Sequence, residues 1–249
     1  MKKLFKSLVM GAMVLSLSVT AFAKEKIYVG TNAEFPPFEY LENGEIKGFD
    51  MELVNEIGKI LDADIKIVDM AFDGLLPALQ MKKVDLVIAG MTANEERMKT
   101  VSFTQPYYTA SQVIIVKEGN DSIKSFNDLK GKKVGVMLGF TGDMVVSEIE
   151  GVKIERFNAA YAGIMALQAG KVEAVVLDSE PAKNYVAQNK GLVLADADAE
   201  QEEYAIAVRK NDKALLEKVE KALKEIKENG TYDKLLQKYF GDKYMPKEL

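Results

Sequence analysis

The strongest constraint on the fold of this chain is a short internal repeat. The segment 78–87 reads ALQMKKVDLV and the segment 166–175 reads ALQAGKVEAV, so the two copies are separated by a constant offset of 88 residues. Each copy has the end of an apolar helix, a charged turn and an apolar strand, which is the pattern of one helix–turn–strand unit. A unit that occurs twice at this distance predicts two lobes built on one plan.

Strand and helix patterns alternate along the chain, and this alternation predicts an α/β fold. In the first half, the apolar segments 27–29, 65–68 and 86–89 read as strands. They are separated by helical patterns, the first of which we expect Asp50 to cap and the second of which we expect to begin at Gly74. The same order of strand, helix and strand resumes in the second half.

Two crossing segments are expected to join the lobes. The first lobe is predicted to comprise residues 24–110, the second residues 111–206 with the crossings, and residues 207–249 return to the first lobe. The charged, glycine-bounded stretch 121–131 is the predicted first crossing, and the β-prone stretch 204–208 begins the predicted return. Two connectors form a hinge, and hinge closure around a ligand is a known conformational change.

Residues 1–23 have the three-part pattern of a secretory signal peptide. Three lysines precede an apolar run over residues 8–19, and Ala21-Phe22-Ala23 provides a small-x-small cleavage sequence. The alternative is a membrane anchor, but a bilayer span needs about 20 apolar residues. We predict cleavage after Ala23. Because the sequence contains no cysteine for lipid attachment, we expect a free periplasmic monomer.

Composition excludes several classes of function. Without residues 1–23, the chain has 226 residues, with 30 lysines and arginines against 38 aspartates and glutamates. This acidic balance disfavours nucleic acid as a partner. Histidine and cysteine are both absent, which excludes Ser-His-Asp and Cys-His catalysis and the usual zinc ligand sets. The sequence implies no metal and no cofactor.

The end of the third strand carries a candidate anion site. After Ala89 and Gly90, the chain reaches Thr92 and then Arg97 near the start of a helix. A guanidinium group binds a carboxylate through two parallel hydrogen bonds, so this pattern favours a carboxylate ligand. The alternative is that Thr92 is only a helix cap, paired with Glu95 in a capping box, and that Arg97 is a solvated helix residue.

At the offset of the repeat, Gly90 corresponds to Asp178 in the second lobe. One strand end therefore leads to an arginine and the matching strand end carries a carboxylate, which predicts a zwitterionic ligand. The alternative role for Asp178 is the N-cap of the helix that begins near Ser179.

Phe35 and Phe72 are large apolar residues in loops that directly follow strands. Each either packs on its own lobe, or the two form a platform for an aliphatic or guanidinium side chain through cation–π contacts. The loop 139–142, GFTG, precedes a helix but lacks the Gly-Lys-Ser/Thr ending of a phosphate-binding loop. Its backbone N–H groups still suit a carboxylate.

Several motifs, taken together, resemble the polar amino-acid binding proteins of ABC importers, and the resemblance covers essentially the whole chain after residue 23. The motifs are GTNAEFPPFE at 30–39, GFD at 48–50, FDGLLPAL at 72–79, AGMT at 89–92 with Glu96-Arg97, and NGTY at 229–232. The resemblance implies a two-lobed type II periplasmic-binding fold, in which mostly parallel sheets flanked by helices are joined by two hinge strands. It also implies that a free L-amino acid is delivered to an ABC permease.

The resemblance also implies roles for individual residues. The ligand-binding residues that it implies are Asn32, Phe35, Phe72, Ala89, Gly90, Thr92, Arg97, Thr141 and Asp178. Arg97, Thr92 and Thr141 match positions that hold the α-carboxylate. Asp178 and the Gly90 carbonyl match positions that hold the α-amino group, while the two phenylalanines flank the ligand side chain.

Departures from the family pattern leave the identity of the amino acid open. Many relatives carry Asp where this chain has Asn32, and the AGMT motif is similar to glutamine-type proteins. The loop that contains Glu34 and Glu39 is more similar to binders of basic amino acids, so arginine, lysine or ornithine is the favoured ligand and glutamine or another polar amino acid is the alternative.

Two other classes of function share this scaffold, because a fold does not fix a function. An exported dehydratase or other lyase would need a general acid or base, for which Glu34, Asp73, Asp178 or a lysine is available. A sensory amino-acid-binding module is the third reading.

Overall fold

The computed structural model describes residues 24–195 and 201–241, so the predicted signal peptide lies outside the described residues. The strands are β1 (Glu25–Thr31), β2 (Glu34–Phe35), β3 (Glu39–Glu42), β4 (Glu45–Lys47), β5 (Ala63–Asp69), β6 (Leu86–Val87), β7 (Val101–Phe103), β8 (Tyr108–Lys117), β9 (Lys133–Met137), β10 (Lys153–Phe157), β11 (Ala174–Asp178), β12 (Leu192–Leu194), β13 (Gln201–Tyr204) and β14 (Ala207–Arg209).

The α-helices are α1 (Phe49–Ile60), α2 (Leu75–Gln80), α3 (Glu95–Met98), α4 (Thr141–Ser147), α5 (Ala160–Gln168), α6 (Ser179–Gln188), α7 (Lys213–Glu228) and α8 (Thr231–Phe240). Short 3-10 turns cover Phe72–Gly74 and Phe126–Leu129. None of the helices in the described part of the chain is long and apolar enough to cross a membrane.

Two mixed sheets form the cores of two lobes. The first sheet has the strand order β5-β1-β6-β14-β7, in which β1 pairs in parallel with β5 and β6. The second has the order β10-β9-β11-β8-β12, and β9 is parallel to β10 and β11. Helices cover both sheets and the central strands are buried on both faces, as expected for parallel layers. The predicted two-lobed α/β fold is confirmed.

The internal repeat is present as two equivalent helix–turn–strand units, α2 to β6 and α5 to β11. The turn is closed in the first lobe by the Lys83 N–H, which donates to the Ala78 carbonyl at 2.9 Å. In the second lobe, the Lys171 N–H donates to the Ala166 carbonyl at the same distance. The two donors are 88 positions apart in the sequence, and so are the two acceptors, which is the offset of the repeat. Similar sequences therefore form the same turn, and both strands end at the inter-lobe face.

The chain crosses between the sheets earlier than the sequence predicted. It leaves the first sheet after Phe103, enters the second at Tyr108, and returns between Tyr204 and Ala207. The predicted crossing at 121–131 was wrong, because that stretch follows β8 within the second lobe. β8 has ten residues, and a strand of this length spans about 33 Å. It therefore serves both as a connector and as a strand of the second sheet.

The two connectors pair with each other. β13 runs antiparallel to the first half of β8, from Gln201 opposite Ser111 to Tyr204 opposite Tyr108. We call β13 and this part of β8 the hinge strands. Backbone hydrogen bonds between them make the hinge a two-stranded ribbon rather than two loose linkers.

The start of α1 also differs from the expectation. Gly48, not Asp50, occupies the N-cap position, and its φ is +130°. A Cβ at Gly48 would lie 2.0 Å from the Phe38 carbonyl oxygen, so only glycine fits. Asp50 is instead fully buried in the first turn, where it accepts hydrogen bonds from the Gly90 N–H at 2.9 Å and the Tyr107 hydroxyl at 2.7 Å.

Candidate functional site

Arg97 lies at the interface between the lobes and only 6% of it is exposed. The helix α3 is capped by Asn94, whose Oδ1 accepts from the Arg97 N–H at 2.9 Å, so the alternative that Thr92 caps this helix was wrong. The guanidinium donates to the Thr92 carbonyl at 2.8 Å and, across the interface, to the Gly139 carbonyl at 2.9 Å. The alternative reading of Arg97 as a solvated helix residue was therefore wrong.

The charge of Arg97 has no anionic partner in the described residues, because its hydrogen bonds go to neutral carbonyl oxygens. Burial lowers the pKa of Arg97, while the carboxylates of Asp178 and Glu202 act in the opposite direction. The guanidinium carbon lies 5.3 Å from the centre of the Phe72 ring, a favourable cation–π distance. A buried, fixed guanidinium of this kind suits a carboxylate ligand.

The two threonines predicted to bind a carboxylate meet across the interface. Thr141, the first residue of α4, donates its hydroxyl hydrogen bond to Thr92 Oγ1 at 3.0 Å. Thr92 in turn donates to the Glu202 carboxylate at 2.7 Å. Because Thr141 belongs to the second lobe and Thr92 to the first, this chain of hydrogen bonds requires the lobes to be closed on one another.

Asp178 ends β11 and is buried, with 2% exposed. It occupies the N-cap position of α6, but its side chain makes no capping hydrogen bond, so the cap explains its position and not its carboxylate. That carboxylate accepts from Gln112 Nε2 at 2.8 Å and from the Tyr204 hydroxyl. Burial, and next the charge of Glu202, raise the pKa of Asp178 well above its usual range.

Three residues at the site were missed from the sequence, namely Gln112, Glu202 and Tyr204. Glu202 and Tyr204 lie on β13, Gln112 lies on β8 opposite Asp178, and all three are buried. A signal existed for Gln112, which is a polar residue inside the apolar run that follows Ser111. Glu202 offered no comparable signal, because its role depends on where β13 pairs.

Phe35 and Phe72 do not simply face one another, because Phe140 from the second lobe packs against both. The ring centre of Phe140 lies 3.8 Å from that of Phe72 and 5.3 Å from that of Phe35. Neither of the two expectations included this third ring. The rule that selected the two others, a large apolar residue in a loop after a strand, applies equally to Phe140. We call these three residues the aromatic wall.

Gly90 and Ala89 shape the first-lobe side of the site. Gly90 has a φ of +53°, and a Cβ there would lie 2.6 Å from the Phe35 ring. Ala89 is fully buried directly before it. Asn32 donates from Nδ2 to the Met70 carbonyl at 2.9 Å and so joins the chain ends of β1 and β5. Its contact with a ligand stays a prediction.

Glu39 and Asp50 form a pair of carboxyl groups behind Gly90, and both are fully buried. Burial, and next the charge of Asp50, raise the pKa of Glu39 well above its usual range. Burial also raises the pKa of Asp50, to about 6. Glu39 therefore belongs to the interior of the first lobe, whereas Glu34 is half-buried at the edge of the interface.

Within residues 24–195 and 201–241, no group of three or more acidic side chains is arranged to hold a metal ion. Residues 27–242 match the bacterial extracellular solute-binding proteins, family 3. The chain belongs to this family. The type II periplasmic-binding fold, expected from the sequence, is the fold of its structural relatives.

Relatives of known specificity match over most of their length. The arginine-binding extracellular protein ArtP of Bacillus subtilis (strain 168) is 40% identical over 223 residues, which cover 87% of each chain. An ancestral arginine-binding protein bound to arginine is 48% identical, with a TM-score of 0.85 over 88% of this chain and 99% of that one. A structure of an ancestral arginine-binding protein bound to glutamine matches equally well, with the same identity and TM-score and 100% of that chain covered.

Proposed function

We propose that the protein binds a free L-amino acid between its two lobes and delivers it to an ABC permease for import. The observation that carries this proposal is the position of Arg97 on one side of the interface and Asp178 on the other, both buried and without an ion-pair partner among the described residues. Fixed charges of opposite sign match the carboxylate and ammonium groups of an amino acid.

The α-carboxylate is assigned to Arg97, with Thr92 and Thr141. The guanidinium exchanges its carbonyl partners for the two carboxylate oxygens, and charge-assisted hydrogen bonds of this kind contribute about 1.5 to 3 kcal/mol each. The α-ammonium is assigned to Asp178 and to the Gly90 carbonyl. Micromolar affinity corresponds to about −8 kcal/mol, so these contacts suffice after the cost of association.

A basic side chain is the favoured one, with arginine, lysine or ornithine as candidates. Phe35 and Phe72 of the aromatic wall offer ring faces for an aliphatic stem or a guanidinium. Of the two acids in the stretch 34–39, Glu34 is half-buried, whereas Glu39 is enclosed in the first lobe. Burial, and next the charge of Asp69, raise the pKa of Glu34, which a cationic group would reverse. The names of the relatives agree with arginine, and the glutamine-bound relative keeps glutamine as the alternative.

Export follows from the same proposal. The predicted signal peptide over residues 1–23, cleaved after Ala23, would place a monomer in the periplasm beside its permease. The family is one of solute-binding proteins, which favours binding over the lyase and sensor alternatives. Recovery of L-arginine unchanged after incubation with the protein distinguishes a binder from a lyase.

A thermal-shift screen against the common L-amino acids tests the proposal. A ligand at 100 times its dissociation constant stabilises a protein by about 2.7 kcal/mol, so we expect a clear rise in Tm with at least one basic amino acid. Arg97→Ala should remove the response to every amino acid, whereas Lys99→Ala, an exposed residue directly after the same short helix, should leave it unchanged. A full response from Arg97→Ala would contradict the carboxylate assignment.

A further inference from the structure

The amino-facing side of the site contains two carboxylates rather than one. Gln112 Nε2 donates to Asp178 Oδ1 at 2.8 Å and to Glu202 Oε1 at 2.5 Å. One amide nitrogen therefore holds both acids, each on one of its two hydrogens. Glu202 is 8% exposed and Asp178 2%, so both carboxylates lie away from bulk water.

The remaining partners of the two acids are neutral. Tyr204 donates to Asp178 and Thr92 donates to Glu202, and neither acid forms an ion pair with a described residue. Two adjacent buried carboxylates with only neutral donors cannot both stay ionised, since burial of an uncompensated charge is strongly unfavourable. A proton, or a cationic ligand group, must neutralise one of the two charges.

We infer that Glu202 is a second carboxylate for the ligand ammonium group and that Asp178, beside it, holds a proton until the ligand binds. The ammonium then takes the place of that proton, which leaves to solvent while the ammonium keeps its own three. This inference rests on the proposed function and extends it, because it predicts that amino-acid binding and proton release are coupled.

The surrounding charges agree with one proton on Asp178. Arg97 interacts electrostatically with both acids. Its hydrogen bonds, however, go to the carbonyl oxygens of Thr92 and Gly139. Glu39, from the first lobe, interacts with Asp178 as well, and the charge of Asp178 contributes to the raised pKa of Glu39 after burial and Asp50. The pKa of Tyr204 is raised by burial and then by Asp178, so this residue remains a neutral donor and does not supply the proton.

Titration calorimetry of the full mature chain tests the inference, with L-arginine and, in parallel, L-glutamine as probes. Measurements at one pH in phosphate and in Tris buffers, which differ in ionisation enthalpy, give the number of protons released per ligand. We expect about one proton, and an apparent affinity that rises about tenfold per pH unit below the pKa of Asp178.

Glu202→Gln should reduce the released proton number to near zero while Thr92 keeps an acceptor. Glu203→Gln, the next residue on β13 with its side chain exposed, is the matched control and should behave like the unchanged protein. Glu39→Gln should also keep the release, which separates this pair from the acids behind Gly90.

Binding without proton release in the unchanged protein would overturn the inference, and so would an undiminished release from Glu202→Gln. Should Glu202→Gln not bind at all, the proton number and pH slope of the unchanged protein still decide the matter. Absence of binding by both amino acids in the unchanged protein would instead overturn the proposed function, and this inference with it.

Discussion

At the residue scale, the buried pair of Glu39 and Asp50 sets a pH dependence of stability. Both carboxyl groups have a raised pKa in the folded protein, with that of Asp50 at about 6. The folded state therefore binds more protons than the unfolded state above about pH 4.5, and stability falls as the pH rises through the folded pKa values.

Glu39→Gln should flatten this dependence. The amide removes one negative charge and can donate to Asp50, so we expect a gain of about 1 to 3 kcal/mol in the free energy of unfolding at pH 8, with little change at pH 5. Urea unfolding between pH 5 and 8 measures it. Glu45→Gln, an exposed change, is the control, and a pH slope for Glu39→Gln equal to that of the unchanged protein would contradict the account.

Gly90 offers a second test at this scale, because two glycines of the first lobe separate backbone strain from crowding. Gly44 has a φ of +82° with no atom within 4 Å of a built Cβ, whereas at Gly90 a Cβ meets the Phe35 ring. We expect Gly44→Ala to cost about 1 kcal/mol from the left-handed backbone alone. Gly90→Ala should cost about 3 kcal/mol, since overpacking adds to the strain. Equal unfolding free energies for the two variants would show that Phe35 moves aside freely.

At the scale of elements, the loop between β9 and α4 brings Phe140 into the aromatic wall. Its ring covers the Phe72 face that we assign to a ligand side chain, so ligand and Phe140 compete for one surface. Phe140→Ala should therefore raise the affinity for L-arginine relative to L-alanine by about threefold to tenfold, the equivalent of one aromatic contact. Titration calorimetry measures both ligands.

Phe157→Ala is the matched control for Phe140→Ala, because it removes a ring from β10, which packs within the second lobe against Gly135. It should lower stability without changing the ratio of the two affinities. A fall in arginine affinity for Phe140→Ala would show that this ring packs on the ligand instead of competing with it.

Elements with a strong local pattern could be predicted from the sequence, and those that depend on distant pairing could not. The two repeat units were found because helix period, turn and strand are local, and even their left-handed turn residues, Lys82 and Gly170, lie at the repeat offset. The crossing was misplaced because β8 looks like an ordinary strand until its partner β13 is known. The same pairing brings Glu202 to Asp178, which no local pattern indicates.

Among the site residues too, those with a local sequence pattern could be predicted and those that depend on distant contacts could not. Arg97, Thr92, Thr141 and Asp178 come together at the interface, because each lies at or beyond the end of a strand, where ligand sites of such sheets occur. Asn94 rather than Thr92 caps α3, since the cap depends on the backbone path of the loop. The contact of Phe140 with Phe72 depends on how the lobes close, which is set by the hinge and not by either lobe.

At the scale of the whole molecule, the lobes are joined by a ribbon and by hydrogen bonds across the site. The bonds from Arg97 to Gly139 and from Thr141 to Thr92 link residues of opposite lobes. A cluster of rings at the hinge, with Phe38 packed 4.9 Å from Tyr108, fixes the hinge strands to the first lobe. Closure therefore assembles the two charged halves of the site in one motion.

The most direct test of this account is a cycle of binding measurements that changes the protein and the ligand together. L-arginine and agmatine, which lacks only the α-carboxylate, are titrated against the unchanged protein and against Arg97→Ala. We expect the unchanged protein to prefer L-arginine by at least about a hundredfold, as the loss of two charge-assisted hydrogen bonds requires. Arg97→Ala should bind both ligands about equally and only weakly, in keeping with the loss of its thermal-shift response. A preference that survives unchanged in Arg97→Ala would contradict the central claim that this guanidinium holds the ligand carboxylate.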